Sequence, residues 1–412
     1  MSIKLQVCIL LVVVVIFSSC SGKYTGPHFS IPQNIGLDDE KNIGRIIIAS
    51  TGNPNSDLSP QIESVESTTG RKKISYNVGG AGVLGSYIKI LRKNFPKQSV
   101  LLDSGNILEE KTNKKKRRRI FKFYKHLRYD AIAMGPGELL NINPKAKYLK
   151  KYKNDFLISN IIDLNTGKNY GPKHILPYKI VEKSGVKIGI ISITAKKLIT
   201  SIKNKRLKKL YVEEPVLSFL KARSKLLKKG ASLIILMTNI STNCRSSENW
   251  KSKNIMKLSE NKIICDKSDE LLQFIKRLPP RSVNLVINNG HGSEIITGFL
   301  MKIPVIQNPM DGKHILLSSF FYDKKSRKVE KFMVTLHPPV KLCHHFFADR
   351  SDCHLNKNEK KLSTLYSDYN SRETGIKNIS DITFKPASFL GNIVKRDDQL
   401  IRILDPQRTL SK

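Results

Sequence analysis

Nowhere in the 412 residues is there an apolar run of the about 20 residues that a bilayer-crossing helix requires. The run at 7–17, VCILLVVVVIF, stops at 11 residues. Acidic residues are scarce, 34 against 72 lysines and arginines, which leaves a net charge of +38. Such an excess suits a nucleic-acid binder. The chain has no stacking-aromatic motif, no helix-turn-helix pattern and no zinc-finger spacing, so we expect no nucleic-acid partner. Its six cysteines form no C-x-x-C-H haem attachment. The glycine-rich stretch at 79–85 lacks the Lys-Ser/Thr of a P-loop. No internal repeat is present. At 40% hydrophobic residues the chain still has enough apolar surface to bury a core.

The N-terminus is organised for export. A single lysine, Lys4, precedes the apolar run, and the small residues Ser18 and Ser19 follow it, as in a secretory signal. Cys20 comes directly after them, which resembles the lipobox of bacterial lipoproteins, with Phe17 where leucine is usual. The expectation is a signal peptide over 1–19, a lipid on Cys20 and a polar tether over 20–43. An exported, lipid-anchored protein with this charge meets a membrane through its lipid. Anionic lipid or an acidic envelope partner is the expected counter-surface. Once Cys8 leaves with the signal, Cys244, Cys265, Cys343 and Cys353 remain, an even number that suggests two disulfides in an oxidising compartment. Nearest-neighbour pairing is one of three connectivities.

From residue 44 to about 336, short apolar runs alternate with helical patterns, which predicts an α/β domain. Strands are expected at RIIIA (45–49), SVLLD (99–103), DAIAM (130–134), FLIS (156–159), SLIILM (232–237) and VNLVI (283–287). Leu84, Tyr87, Ile88 and Leu91 mark one helical face, and Ile120, Phe123, Tyr124 and Leu127 another. Ser184-Gly185 between two apolar runs reads as a hairpin turn. Residues 337–412 are polar with few apolar runs, a tail or small appendage.

The loops after these runs carry a resemblance. In order they include LLDSGN (101–106), YDAIAMGPGELL (129–140), PYKIVEKSGVKIGIISIT (177–194), VNLVINNGHGSE (283–294) and IPVIQNPMDGKHILLSSFFYD (303–323). The chain resembles the calcineurin-like metallophosphoesterase domain of the 5′-nucleotidase family across nearly all of 44–325. The resemblance implies a four-layer αββα sandwich with two divalent metals at the strand ends, which activate water for attack at phosphorus. Position by position, the family's ligands are missing here. Its first Asp and His fall on Asn53 and Asn55, and its bridging Asp on Asn106. Its Asn and catalytic His fall on Pro136 and Gly137, and its mid-chain His on Asn239. His291 matches one ligand only if a residue is inserted. The framework residues Asp103, Gly105, Gly135 and Glu138 stand where the family pattern has them. Dications need anionic oxygens and imidazoles, and proline offers neither side-chain donor nor N–H. No cofactor is therefore expected.

Two further features stand outside that pattern. The run KKKRRR at 114–119 suits phosphate, lipid headgroups or an acidic partner, or is a solvated helix start. Cys343-His344-His345 with Cys353-His354 is either a disulfide flanked by histidines or a soft-metal site. The function expected is a membrane-anchored phosphoesterase homologue, catalytically inactive, that binds or scaffolds in the cell envelope. The alternatives are a phosphoester hydrolase with a rebuilt or single-metal site, and an envelope metal or redox protein using the C-terminal Cys/His cluster.

Overall fold

The structure is a computed structural model that describes residues 42–52, 54, 57–66, 73–142, 156–171, 175–195, 207–246, 262–290, 294–309, 312–354 and 383–405. The chain begins with β1 (Ile43–Thr51), the hairpin β2 (Gln61–Glu66) and β3 (Lys73–Val78), α1 (Ala81–Asn94), β4 (Ser99–Asp103) and α2 (Lys114–Leu127). It continues through β5 (Ala131–Ala133), α3 (Pro136–Asn141), β6 (Phe156–Leu157), β7 (Ile161–Asp163), β8 (Lys168–Asn169) and β9 (Ile175–Leu176). Next come β10 (Tyr178–Lys183), β11 (Val186–Thr194), β12 (Leu210–Val212), α4 (Pro215–Lys228), β13 (Leu233–Asn239), β14 (Arg245–Ser246) and β15 (Ile263–Ile264). Then follow α5 (Glu270–Lys276), β16 (Leu285–Asn288), β17 (Ile296–Leu300), β18 (Ile303–Gln307), β19 (His314–Asp323) and β20 (Val329–Leu336). The last elements are β21 (Val340–Lys341), β22 (His345–Phe347), β23 (Phe384–Pro386), β24 (Ser388–Phe389), β25 (Asn392–Ile393) and α6 (Asp398–Leu404).

Two sheets form the body. The first has the order β20-β19-β1-β4-β5-β6-β9, with β21 also on β19, and the second the order β10-β11-β13-β16-β18-β17. In the first, β1, β4, β5, β6 and β9 run parallel; in the second, β11, β13, β16 and β18 do. Side chains alternate across each strand. Ile46 and Ile48 of β1, with Val100 and Leu102 of β4, face Ile188, Ile190, Ile235 and Met237 of the second sheet. Ile47, Ala49 and Leu101 face α1 and α2 on the other side. Ile191, Ile193, Ile234 and Leu236 face α4 and α5. The result is the four-layer αββα sandwich. Strands covered on both faces must be apolar at every position, and for that reason they read as continuous runs.

Caps fix where the helices begin. Asn113 accepts from the Lys116 N–H at 2.9 Å, and Asp269 from the Leu272 N–H at 3.0 Å. Glu214, ahead of Pro215, accepts from the Leu217 N–H at 2.7 Å. Among the described residues no helix is long and apolar enough to cross a membrane.

The described part of the C-terminal region folds back on the first helix layer. Phe346, Phe347, Phe389 and Leu400 belong to the same apolar cluster as Tyr87 and Phe123. α6 lies on α1 where the latter has glycines. A Cβ on Gly85 would come within 2.1 Å of Leu400, and one on Gly82 within 2.8 Å of Ile401. Lys89 closes the contact with an ion pair to Asp397 at 2.6 Å. Disulfides join Cys244 to Cys265 and Cys343 to Cys353, the nearest-neighbour connectivity.

Candidate functional site

The parallel strands of both sheets end along one edge, where β4 finishes in Asp103, β13 in Asn239, β16 in Asn288 and β18 in Gln307. Asp103 is fully buried and fully engaged. Its Oδ2 accepts from Thr51 Oγ1 at 2.8 Å and from the Tyr124 hydroxyl at 2.9 Å, and its Oδ1 from the Gly105 N–H at 2.9 Å. Thr51 in turn accepts from Tyr129 at 2.8 Å. Burial pushes the Asp103 carboxyl up to about 6 against the pull of these bonds. The Tyr124 and Tyr129 phenols are held well above their ordinary range, burial being the main cause.

Glu138 has the same character. Its Oε2 accepts from the N–H groups of Gly135 at 2.7 Å and Asn106 at 3.2 Å, and its Oε1 from Leu108 at 2.9 Å. Burial pushes it up to about 7. Both acids therefore hold the backbone together instead of facing a ligand. The loop that Glu138 gathers is packed tight. Ile107 and Leu108 are buried, and Asn141 Nδ2 donates to the carbonyls of Glu109 at 2.6 Å and Gly137 at 2.8 Å. A Cβ on Gly137 would stand 1.8 Å from the Leu108 carbonyl oxygen, so no side chain fits at the position of the family's catalytic His.

Of the other positions where the resemblance places metal ligands, Asn106 and Asn239 are brought together. Asn239 Nδ2 donates to Asn106 Oδ1 at 3.4 Å. A Cβ on Gly135 would meet both, at 2.6 and 2.2 Å. Pro136 opens α3 beside them and is buried. Asn53, Asn55, His291 and Cys20 lie outside the described residues.

Further amides, not singled out from the sequence, complete the edge. Asn288 accepts from Thr238 Oγ1 at 2.7 Å and donates to Gln307 Oε1 at 2.6 Å. Asn289 Nδ2 donates to the Ser104 carbonyl at 3.1 Å, and Asn308 Nδ2 to Ser50 Oγ at 3.0 Å. The side-chain Oδ1 atoms of Asn239, Asn289 and Asn308 are buried and have no hydrogen-bond partner among the described residues. The signal in the sequence was the doubled asparagine at 288–289 and Asn308 after Gln307, each directly at a strand end. These are neutral donors. With both acids consumed by the framework, the described residues do not fit a pair of divalent cations.

The remaining motifs have other places. Lys115, Lys116 and Arg119 of the basic run line a cleft of about 670 Å³ between the start of α2 and α6. Glu109 in its wall neutralises Lys116 at 2.6 Å. The C-terminal cysteines are joined to each other, so in this state they offer no thiolate to a soft metal. Among the described residues the close cluster of three metal-ligating groups is Cys244, Cys265 and Asp269. Its sulfurs are likewise joined, and Asp269 is the cap of α5.

No protein-family model matches the chain, and no curated protein matches it by sequence. Solved structures do. The 5′-nucleotidase precursor of Thermus thermophilus matches with a TM-score of 0.54 at 16% identity, over 79% of this chain and 58% of that one. The NAD nucleotidase of Haemophilus influenzae matches with 0.53 at 14%, over 89% and 60%. A calcineurin-like phosphoesterase of Bacillus subtilis matches with 0.50 at 14%, over 79% and 97%. The fold is that of the calcineurin-like phosphoesterases and 5′-nucleotidases, and the chain spans 58% and 60% of the length of the two nucleotidases.

Proposed function

We propose that the chain is a membrane-anchored protein of the cell envelope that keeps the phosphoesterase framework, has given up its catalysis, and acts by binding or scaffolding. The observation that carries this is the closure at Gly137, where the Leu108 carbonyl oxygen fills the space a catalytic imidazole would need. The fate of the acids points the same way. A dinuclear centre brings +4 into one small volume, and Asp103 and Glu138 are already spent on backbone N–H groups and hydroxyls. The strongly basic chain raises that electrostatic cost further. Export and anchoring rest on the signal-like run and Cys20, and the two disulfides agree with an oxidising compartment.

A second reading keeps a single hard cation on the unpartnered oxygens of Asn239, Asn289 and Asn308. One experiment separates the two. Elemental analysis of the purified protein is run beside a phosphoesterase panel (5′-AMP and bis-p-nitrophenyl phosphate) with added Mn²⁺. Metal well below one ion per chain and turnover equal to the buffer control are expected. Metal-dependent, chelator-sensitive cleavage would overturn the proposal.

A further inference from the structure

The two ends of the sandwich differ. The strands finish in neutral amides, with the basic start of α2 beside them, whereas the connections that feed the strand starts are cationic from one sheet to the other. Ile43 pairs with Asp323, so the chain enters beside the β19–β20 turn, where the Lys324 N–H donates to the Asn42 carbonyl at 2.7 Å. That turn holds Lys324, Lys325, Arg327 and Lys328, all exposed. Arg327 reaches the Ser184 carbonyl of the β10–β11 turn at 3.1 Å, and Ser184 Oγ donates to the Lys97 carbonyl, ahead of β4, at 3.0 Å. Three connections thus form one continuous surface. Lys187 Nζ approaches the Lys229 carbonyl at 3.5 Å and adds the α4–β13 turn with Lys228 and Lys229. Arg128 precedes β5 and Lys302 precedes β18 on the same edge.

Among the described residues, acids at this edge are fewer than cations: Asp130 is held by Lys183 at 3.1 Å and by the Leu101 N–H at 2.8 Å, Glu182 stands opposite Lys187 across the β10–β11 hairpin, and Asp323, near Lys325, is turned into its own loop by the Ser326 N–H. The backbone adds an independent observation. Arg128, Lys302 and Arg327 stand at φ of 53, 66 and 58°, in the left-handed region that glycine or asparagine enters at lower cost. Cations occupy turn positions that backbone economy would give to glycine. Two exposed apolar side chains lie among them, Met301 at 56% and Leu227 at 41% exposure.

We propose that this edge lies against an anionic membrane surface, with its lysines and arginines over lipid phosphates, Met301 and Leu227 at headgroup level, and the amide-lined edge facing away. The proposal rests on the anchoring read from Cys20, which brings the chain-entry edge near the bilayer. A tether of this length reaches roughly 80 Å if extended, so it does not orient the domain by itself. A single acyl chain holds a protein only marginally, and a basic patch supplies the second signal within a Debye length of about 10 Å.

The test uses full-length Cys20→Ser protein, which keeps the edge and loses the acylation site. It is sedimented with phosphatidylcholine vesicles and with vesicles containing phosphatidylglycerol. Preference for the anionic vesicles, lost at high salt, is expected. Adding Lys324→Glu, Lys325→Glu and Lys328→Glu should weaken that binding on the order of a hundredfold, because each surface cation contributes about fivefold. Adding Lys111→Glu, Lys114→Glu and Arg118→Glu instead makes the same charge change at exposed positions of the opposite edge. It should alter binding by about threefold or less. Lys97→Ser with Lys228→Ser and Lys229→Ser removes edge charge without reversal, should the first triple fail to fold. Equal weakening by the two edges, no preference for anionic vesicles, or binding to an acidic protein without vesicle binding overturns the proposal. Failure of Cys20→Ser to release the protein from cell membranes would strike the anchor alone and leave the vesicle result standing.

Discussion

Asn239 and Asn106, which stand at the ends of strands from different sheets, hydrogen-bond to each other at 3.4 Å. In the family pattern these two positions hold a metal pair between them. Here the two amides satisfy part of one another's hydrogen bonding, which joins the two sheets at this edge.

Asn106→Asp tests that reading. The new carboxylate would be buried beside Glu138 Oε2, which already lies 3.2 Å from the residue 106 N–H. It should cost about 2 kcal/mol of stability, as expected for an uncompensated buried polar group. Added Mn²⁺ at micromolar concentration should not restore the melting temperature. Recovery with Mn²⁺ would mean that a working metal site survives.

Asp103 makes a prediction about pH. Burial raises its carboxyl from 3.8 to about 6, so the folded chain keeps this proton longer than the unfolded one. The stability it contributes is complete below about pH 4 and is lost as pH rises through 6, by up to about 3 kcal/mol. His337 acts in the opposite sense, because burial lowers it to about 3 and its contribution is lost as pH falls below the ordinary histidine range. Comparing Asp103→Asn with the parent removes the histidine term. The stability of the variant relative to the parent should rise between pH 4 and 7 in chemical denaturation, and a flat difference would refute the assignment.

Much of this was legible in the sequence, and the reasons differ by region. Strands such as β1, β4 and β13 could be read because both faces are buried, which forces continuous apolar runs. Ser184-Gly185 could be read because a hairpin turn demands a left-handed residue, and both have positive φ. The positions Asn106, Pro136, Gly137 and Asn239, of which folding brings Asn106 and Asn239 together, were legible because the resemblance places family ligands there. The closure of Leu108 over Gly137 was not, since it depends on the path of a loop. Nor was the placing of Asn289 and Asn308 side by side, since they follow the paired ends of β16 and β18. Phe346, Phe389 and Leu400 are too far apart in sequence to show any period, and only folding unites them on α1.

The disulfides should be complete in exported protein. Non-reducing mass spectrometry is expected to find no free thiol among Cys244, Cys265, Cys343 and Cys353. Cys244→Ser with Cys265→Ser should cost about 3 kcal/mol, as chain-entropy reasoning gives for a loop closed across 21 residues. Stoichiometric zinc with four free thiols would revive the metal reading.

Leu400 tests the clasp of α6 on α1. It is fully buried against Gly85. Leu400→Ala should cost about 3 kcal/mol. It should also make residues 398–405 the first site of limited proteolysis. Unchanged protease resistance would show that α6 is held elsewhere.

Anchoring makes the last prediction. Cys20→Ser should release the protein from membranes or block its processing. Radiolabelled palmitate remaining on the variant would end the lipobox reading.

If catalysis was given up as proposed, the Leu108 carbonyl over Gly137 also acts as a ratchet. A lost carboxylate can return by one codon change, but a lost space cannot. Reinstating histidine at 137 first requires the segment from Asn106 to Glu110 to move, and Glu138 and Asn141 hold that segment by four hydrogen bonds. Each such step would be unfavourable before any catalytic benefit appeared. On the proposed reading, substitutions at the surface stay open to such a chain, while a histidine at 137 is barred by the path of one loop.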